Sequence, residues 1–321
     1  MLGMRALAVV ALLGLCALPP GGVRAQDKAI HVVVPLLAGS GTDVVTRTFV
    51  AALAQRLGQP IVVENKAGGA TTLGTQYVVN SARDGLTLLS ATTSTLSVLP
   101  AVQKPPYDTQ KALIPIAAYA VSPFVFGVGA ESKYATLADM LAAAKANPGR
   151  LTFGSSGTGT LTHMVVELLA VEAHVNFTHV PYKGVTGAYT DVIGGRVDFL
   201  ADSPASMLPQ VRGGKVRALI VTAPQRLANL PGVPTVAELN LPGAEADFTT
   251  GLLAPAGTPP AVIARYEAAA LQVAQSAEFK SYLASQGYEA LAADGAKFAK
   301  IVRDGLAKWE RVAQERKIKV E

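Results

Sequence analysis

Short β-branched runs alternate with stretches of helical periodicity along the first two thirds of this chain, and that alternation leaves few folds open. Residues 30–34 (Ile-His-Val-Val-Val) are apolar almost without interruption, as a strand buried on both faces would be. Val45, Phe49, Leu53 and Leu57 then repeat every fourth residue, and Gly58 stops the helix they imply. A strand at 61–63, a glycine-containing loop at 66–70, a helix at 73–81 and a strand at 87–91 follow. Strand-helix-strand at this spacing implies parallel pairing with right-handed crossovers.

The middle of the chain repeats the theme. A strand at 124–128 precedes a helix capped by Thr136, with Asp139 in its first turn, ended by Asn147-Pro148-Gly149. Strands at 151–153, 179–181, 197–201 and 216–222 enclose helices at about 160–173 and 188–193. The last third reads as mostly helical. Pro260 opens one helix, and 295–316 form another with Phe298, Val302, Leu306 and Trp309 on one stripe. The expected class is α/β, each half a mostly parallel sheet flanked by helices. No Ser/Gly/Pro-rich linker separates the halves, so two domains would be joined by crossing segments near 121–123 and 222–224. Residues 26–122 and 224–321 would then form one discontinuous lobe, and 123–223 the other.

The first 25 residues read as a secretory signal peptide. Arg5 gives a basic start, residues 6–18 are apolar, and Val23 and Ala25 suit a signal peptidase. The apolar run is shorter than the roughly 20 residues a membrane-spanning helix needs, and Leu15 before Cys16 does not fit a lipoprotein site. Cleavage would remove Cys16, the only cysteine, so core burial alone would hold the exported chain together. Roughly 295 residues suffice for two domains with a core each. The net charge is +5, of which Arg5 and Arg24 belong to the leader. The densest basic stretch, 311–319, contains Glu315 and no interleaved aromatics, so nucleic-acid binding has no support. A mild positive balance suits an anionic ligand.

Polar side chains gather where strands give way to helices. Ala38-Gly39-Ser40-Gly41-Thr42-Asp43 follows the first strand, and Gly154-Ser155-Ser156-Gly157-Thr158-Gly159-Thr160-Leu161-Thr162-His163 follows the strand at 151. In open α/β sheets, ligands sit beyond the carboxyl ends of the strands. Helix N-termini there leave N–H groups unpaired and carry partial positive charge, which suits a carboxylate. Thr42 and Thr160 serve equally well as ordinary caps. One helix terminus gives an anion about 0.3–1 kcal/mol, whereas micromolar affinity needs about 8 kcal/mol, so a useful site would have two sides. Asp202 ends the strand at 197–201 and would face the same groove, recognising a hydroxyl, an amine or a water, or would cap the next helix. Ala188 lies at a third helix start, after Lys183-Gly184-Val185-Thr186-Gly187.

Enzyme motifs fail on inspection. Thr158 stands where G-x-S-x-G needs its last glycine, and Thr75 replaces the lysine of a P-loop after Gly69 and Gly74. His174 and His179 lack the cysteine or carboxylate cluster of a metal site, and no cofactor is implied. Ser156 and His163 leave open an exported hydrolase as a rival reading.

The ordered set of short motifs resembles the Bug/TctC family, the periplasmic solute-binding proteins of tripartite tricarboxylate transporters. Val34-Pro35 with 38–43, Leu57-Gly58-Gln59-Pro60-Ile61-Val62-Val63-Glu64-Asn65-Lys66-Ala67-Gly68, Asp84-Gly85-Leu86-Thr87-Leu88-Leu89 and 154–159 carry the resemblance. Val180-Pro181-Tyr182-Lys183-Gly184, Gly194-Gly195-Arg196-Val197-Asp198 and Gly213-Gly214-Lys215-Val216-Arg217-Ala218-Leu219 complete it. It implies a two-lobed, periplasmic-binding-protein-like (type II, Venus flytrap) fold with the ligand between the lobes. A carboxylate would be held by the first strand-helix loop and the glycine-serine loop, partly through water. Those positions fall on Gly41, Thr42 and Asp43, and on Ser155, Ser156, Thr160 and His163; the family's later acid matches Asp202. Leu36-Leu37 and Thr71-Thr72 depart from the family pattern, where an aromatic residue and a Gly-Asn pair are common, so tricarboxylate binding does not follow from the name. The expectation is a monomeric periplasmic protein that captures a small organic carboxylate for a membrane transporter or a sensor protein.

Overall fold

The computed structural model describes residues 28–320. The signal-peptide assignment, residues 1–25, lies outside them.

The strands, in chain order, are β1 (Ile30–Val34), β2 (Ile61–Asn65), β3 (Thr87–Thr92), β4 (Leu113–Pro123), β5 (Val125–Gly129), β6 (Thr152–Ser155), β7 (Thr178–Pro181), β8 (Phe199–Asp202), β9 (Val216–Val221), β10 (Asp247–Pro255) and β11 (Glu289–Asp294). The helices are α1 (Gly41–Leu57), α2 (Thr72–Val79), α3 (Leu99–Val102), α4 (Thr109–Ala112), α5 (Leu137–Ala146), α6 (Leu161–Glu172), α7 (Val185–Ile193), α8 (Pro204–Arg212), α9 (Pro260–Gln275), α10 (Ala277–Ser285) and α11 (Gly295–Glu315).

Two sheets result. The first runs β2-β1-β3-β10-β4-β11 and the second β7-β6-β8-β5-β9. Both share one plan: three parallel strands ordered second, first, third, then an antiparallel strand, then its antiparallel partner. This structural repeat, invisible in the residues, makes the loops after β1 and β6 equivalent, and likewise those after β3 and β8.

The sheets are therefore mixed, not mostly parallel. β5 follows β4 after Phe124 alone and enters beside the end of β8, with Val125 opposite Asp202. A parallel neighbour would need a crossover of a dozen residues or more. β10 enters the first sheet the same way, with Thr250 opposite Thr92 at the end of β3.

β4, β10 and β11 are absent from the sequence reading. β4 carries three alanines and two prolines, which blur a strand signal. β10 has Gly251 at its centre, where a side chain would collide with the Phe298 ring of α11.

The return crossing also differs from 222–224. Residues 223–246 stay with the second sheet: Val221 pairs with Thr235, Leu227 and Leu230 pack beside Val125 and Leu200, and Ala244 and Ala246 join the cluster around Phe126 and Leu168. Chain direction reverses to the first sheet at Asp247. α11 belongs to both cores. Its Phe298 and Val302 pack with Val33 and Leu89, while Trp309, Val312 and Ala313 pack with Val165 and Leu168. Arg311 pairs with Glu172 at 2.7 Å, and Arg316 with Glu167.

The first core centres on Phe49 and Tyr119, stacked at 3.8 Å, with Phe279 tilted against both. Burying a large apolar side chain contributes about 1.5–3 kcal/mol, so the helical stripe around Phe49 supplies much of what holds α1, and hence its N-terminus, in place.

Candidate functional site

A cavity of about 540 Å³ lies at the carboxyl ends of β1, β3, β6 and β8, lined from both sheets. That is within the range of about 300–1,000 Å³ usual for small-molecule sites. The N-cap residues of four helices line it: Ser40 of α1, Thr71 of α2, Thr160 of α6 and Ser203 of α8. First-turn amides have no intrahelical acceptor, and the helix dipoles add partial positive charge. Among the described residues, no lysine, arginine or histidine lines the cavity.

Of the nine residues singled out from sequence, five line it: Gly41, Thr42, Ser156, Thr160 and Asp202. Gly41 opens α1, and the absence of a side chain there is used: a Cβ would lie 2.6 Å from the Tyr288 hydroxyl. The cap of α1 is Ser40, whose hydroxyl accepts from Asp43 N, so Thr42 sits inside the first turn. On the opposite side, Ser156 N donates to Thr162 Oγ1 at 3.0 Å, and the hydroxyls of Ser156, Thr162 and Thr160 form a chain at 2.8 and 3.0 Å. Thr160 closes the turn by donating to Gly157 O at 2.7 Å.

Asp202 ends β8, nearly inaccessible to solvent. Its Oδ1 accepts from Ser203 N at 2.8 Å, and its Oδ2 has no hydrogen-bond partner in the protein. Burial pushes its pKa up to about 6, against smaller lowering influences from the Ser203 N–H and the nearby Ser206 and Tyr189 hydroxyls.

The other four brace the walls from behind. Asp43 is buried, which opposes its charge, but donors outweigh that and hold its pKa below the usual carboxylate range. They are Arg47 Nε at 3.0 Å, Gly39 N at 2.8 Å and Asn65 Nδ2 at 2.9 Å, and they tie the loop to β2. Ser155 is fully buried; its hydroxyl lies 2.6 Å from His179 Nε2 and accepts from Gly157 N. His163 accepts from Gly159 N at Nδ1, and its ring stacks on His179 at 3.8 Å. Burial, and then the neighbouring His163, lower the pKa of His179 to about 4. Ala188 packs under Gly154, where a Cβ would meet it at 2.8 Å.

This arrangement bears on the hydrolase reading. Ser156 is bonded to Thr162, while His163 faces Gly159 at one ring nitrogen and Glu167, 3.6 Å away, at the other. The two side chains do not form a nucleophile-base pair. No group of three metal-ligating side chains occurs among the described residues.

Several lining residues were not foreseen. Thr71, Thr92, Ser94, Phe248 and Tyr288 come from α2, β3 and its following turn, β10 and the approach to β11. Thr71 has a sequence signal, the Thr71-Thr72 departure. It sits at φ 81°, beside Ala70 at φ 49°, in backbone that favours glycine or asparagine. Tyr288 has only the preceding Gly287, at φ 77°.

The family description "Tripartite tricarboxylate transporter family receptor" matches residues 45–318. The chain belongs to this family. A Cupriavidus necator protein of the gbd 5′ region is 35% identical to this receptor over 315 residues, covering 94% of this chain and 95% of the relative. Protein BugT of Bordetella pertussis is 31% identical over 293 residues, covering 90% and 89%. Among solved structures, MatC of Rhodopseudomonas palustris with bound malate aligns at a TM-score of 0.76 with 30% identity, covering 88% of this chain and 98% of MatC. An R. palustris protein with adipate aligns at 0.80 with 27% identity, covering 93% and 99%.

Proposed function

We propose that this receptor captures a small organic carboxylate in the cleft between its two lobes, in the periplasm, and hands it to a membrane transporter of the tripartite type. The observation that carries this reading is the convergence of four helix N-termini from two sheets on one cavity whose lining, among the described residues, holds no basic side chain. Backbone amides and threonine and serine hydroxyls grip an anion without bringing a reactive group to it. The malate and adipate bound by the two R. palustris neighbours are carboxylates of the size this cavity admits, which supports the same reading. Gly41, Thr42, Ser156 and Thr160 contact the ligand; Asp43, Ser155, His163 and Ala188 hold their loops in shape.

The test is a thermal-shift screen of the mature protein against mono-, di- and tricarboxylates and the matching amides, with product analysis in parallel. A ligand that binds only the native state raises the melting temperature by mass action. Stabilisation by carboxylates and not by amides, without turnover, is the expected result. Turnover that disappears in Ser156→Ala would overturn it in favour of a hydrolase.

A further inference from the structure

We infer that His163 is a proton-operated latch on the loop after β6. Neutral, it holds that loop in the form that grips the carboxylate; protonated, it lets the loop go, so affinity falls in acid. This regulation belongs to the carboxylate site proposed above and rests on that reading.

The loops after β1 and β6 correspond residue by residue. Ser40 caps α1 and Thr160 stands at the same place before α6, with Gly39 and Gly159 preceding them at φ 80° and 73°. Each glycine donates its N–H to the side chain four residues on: Gly39 N to Asp43 Oδ2 at 2.8 Å, Gly159 N to His163 Nδ1 at 3.0 Å. One turn further along each helix stands a partner of the opposite type. Arg47 lies 3.0 Å from Asp43, and Glu167 lies 3.6 Å from His163. The same arrangement thus occurs twice, acid before base in α1 and base before acid in α6.

Only one of the two acceptors is permanent. Burial opposes the charge of Asp43, but its donors outweigh that and hold its pKa below the usual carboxylate range, so it keeps accepting in mild acid. A neutral imidazole accepts at one nitrogen and donates at the other, whereas an imidazolium donates at both. With Nδ1 accepting from Gly159, the neutral ring carries its proton on Nε2, towards Glu167. A second proton sets N–H against N–H at Nδ1, and the bond that shapes the loop is lost. Gly159 lines the cavity between Thr158 and Thr160, so the loss reaches the ligand.

The titratable and charged groups on the elements around this ring are Glu167 on α6, His179 on β7, Asp202 at the end of β8, which packs on α6, and Arg316 after α11. Arg316 holds the second oxygen of Glu167, and Arg311 pairs with Glu172 farther along α6. Phe153 and Ser155 of β6 are uncharged. His179, bonded to Ser155 and with its pKa lowered to about 4 by burial and then by His163, stays neutral in mild acid. The proton that enters the stacked pair therefore goes to His163, the ring beside the carboxylate.

Nuclear magnetic resonance of the isotope-labelled mature protein tests the latch without ligand. Between pH 7.5 and 5.5 the Gly159 amide resonance should move together with the His163 ring, and its protection against hydrogen exchange should fall at least fivefold. The Gly39 amide, held by Asp43, should change in neither respect. His163→Asn places a neutral acceptor where Asp43 serves Gly39, and should abolish the Gly159 response. Titration calorimetry with malate, adipate and benzoate at the same two pH values reads the affinity. Any of these acids that binds should lose at least threefold more affinity in the wild type than in His163→Asn, a comparison that cancels the ionisation of the probe and of Asp202. A Gly159 amide unchanged between the two pH values overturns the latch and leaves the carboxylate reading standing. Equal pH dependence of affinity in wild type and folded variant does the same. The amide measurement needs no substitution, so it decides even where His163→Asn fails to fold. Failure of all three acids to bind at millimolar concentration overturns the carboxylate reading and the proposed regulation together.

Discussion

The Tyr288 hydroxyl fills the space that a side chain on Gly41 would need, 2.6 Å from the position of a Cβ there. Both residues line the cavity, one at the start of α1 and the other just before β11. Gly41→Ala should therefore destabilise the protein by about 1–3 kcal/mol, the usual cost of overpacking, and weaken ligand binding at least tenfold. Adding Tyr288→Phe removes the clashing oxygen and leaves the nearest ring carbon, Cζ, 3.9 Å from the new Cβ. The double variant should recover most of the stability in urea unfolding. Equal instability of the single and double variants would contradict this packing.

Asp202 gives the ligand-free protein a stability that falls as pH rises. Its pKa of about 6 lies above the ordinary carboxylate value. Between about pH 4 and 6 the native state holds a proton that the unfolded chain has released, so stability declines across that window. By pH 7 the loss is about 2–3 kcal/mol. Asp202→Asn should be more stable than the wild type at pH 7 without ligand, and should lack this slope. Urea midpoints at pH 4.5 and 7 measure it.

His179 works in the opposite direction. Its pKa is lowered to about 4, so the unfolded chain takes up a proton from about pH 6.5 downward while the native state resists. Stability from this group is lost as pH falls through that range, by about 1–2 kcal/mol once its partial exposure is discounted. Around the ring stand His163, Glu167 and Ser155, with Arg316 behind Glu167. Because the Asp202 and His179 slopes overlap and oppose, the wild type should show little net change between pH 4.5 and 6. Asp202→Asn should expose the falling limb toward acid, and His179→Gln the rising one. A flat profile in both variants would contradict these assignments.

Thr71 holds a β-branched side chain at φ 81°, and its hydroxyl is buried without a partner. Strain of this kind costs on the order of 1–3 kcal/mol, and glycine loses up to about 1 kcal/mol in chain entropy. Thr71→Gly should raise stability by about 1 kcal/mol in chemical unfolding. A decrease would show that the threonine side chain contributes contacts that outweigh the strain.

How much of this was legible in the residues depended on the kind of signal. The parallel strands β1, β2 and β3 announce themselves through Val, Ile and Leu between turn residues, and α1, α5 and α6 through periodicity and caps. β4 and β10 do not, because alanine, proline and glycine fill strands whose position is set by pairing with each other across the middle of the sheet. The return to the first sheet was misplaced because residues 223–246 hold to the second core mainly through turns and single contacts rather than a periodic element. The loops after β1 and β6 were legible as loops. Which of their side chains face inward was not: Ser155 and Ser156 are neighbours, yet one bonds His179 behind the wall and the other lines the cavity. Tyr288 and Phe248 reach the site from β10 and the approach to β11, far in sequence from the serine- and threonine-bearing loops after β1 and β6.

We propose one carboxylate gripped from both sides of the cavity. Titration calorimetry of a binding acid with Gly41→Val, on the side of the first sheet, and Ser156→Leu, on the side of the second, tests it most directly. Each substitution alone should lower affinity at least tenfold while the far-ultraviolet circular dichroism stays native. Wild-type affinity in both folded variants would contradict the account and place the ligand elsewhere on the protein.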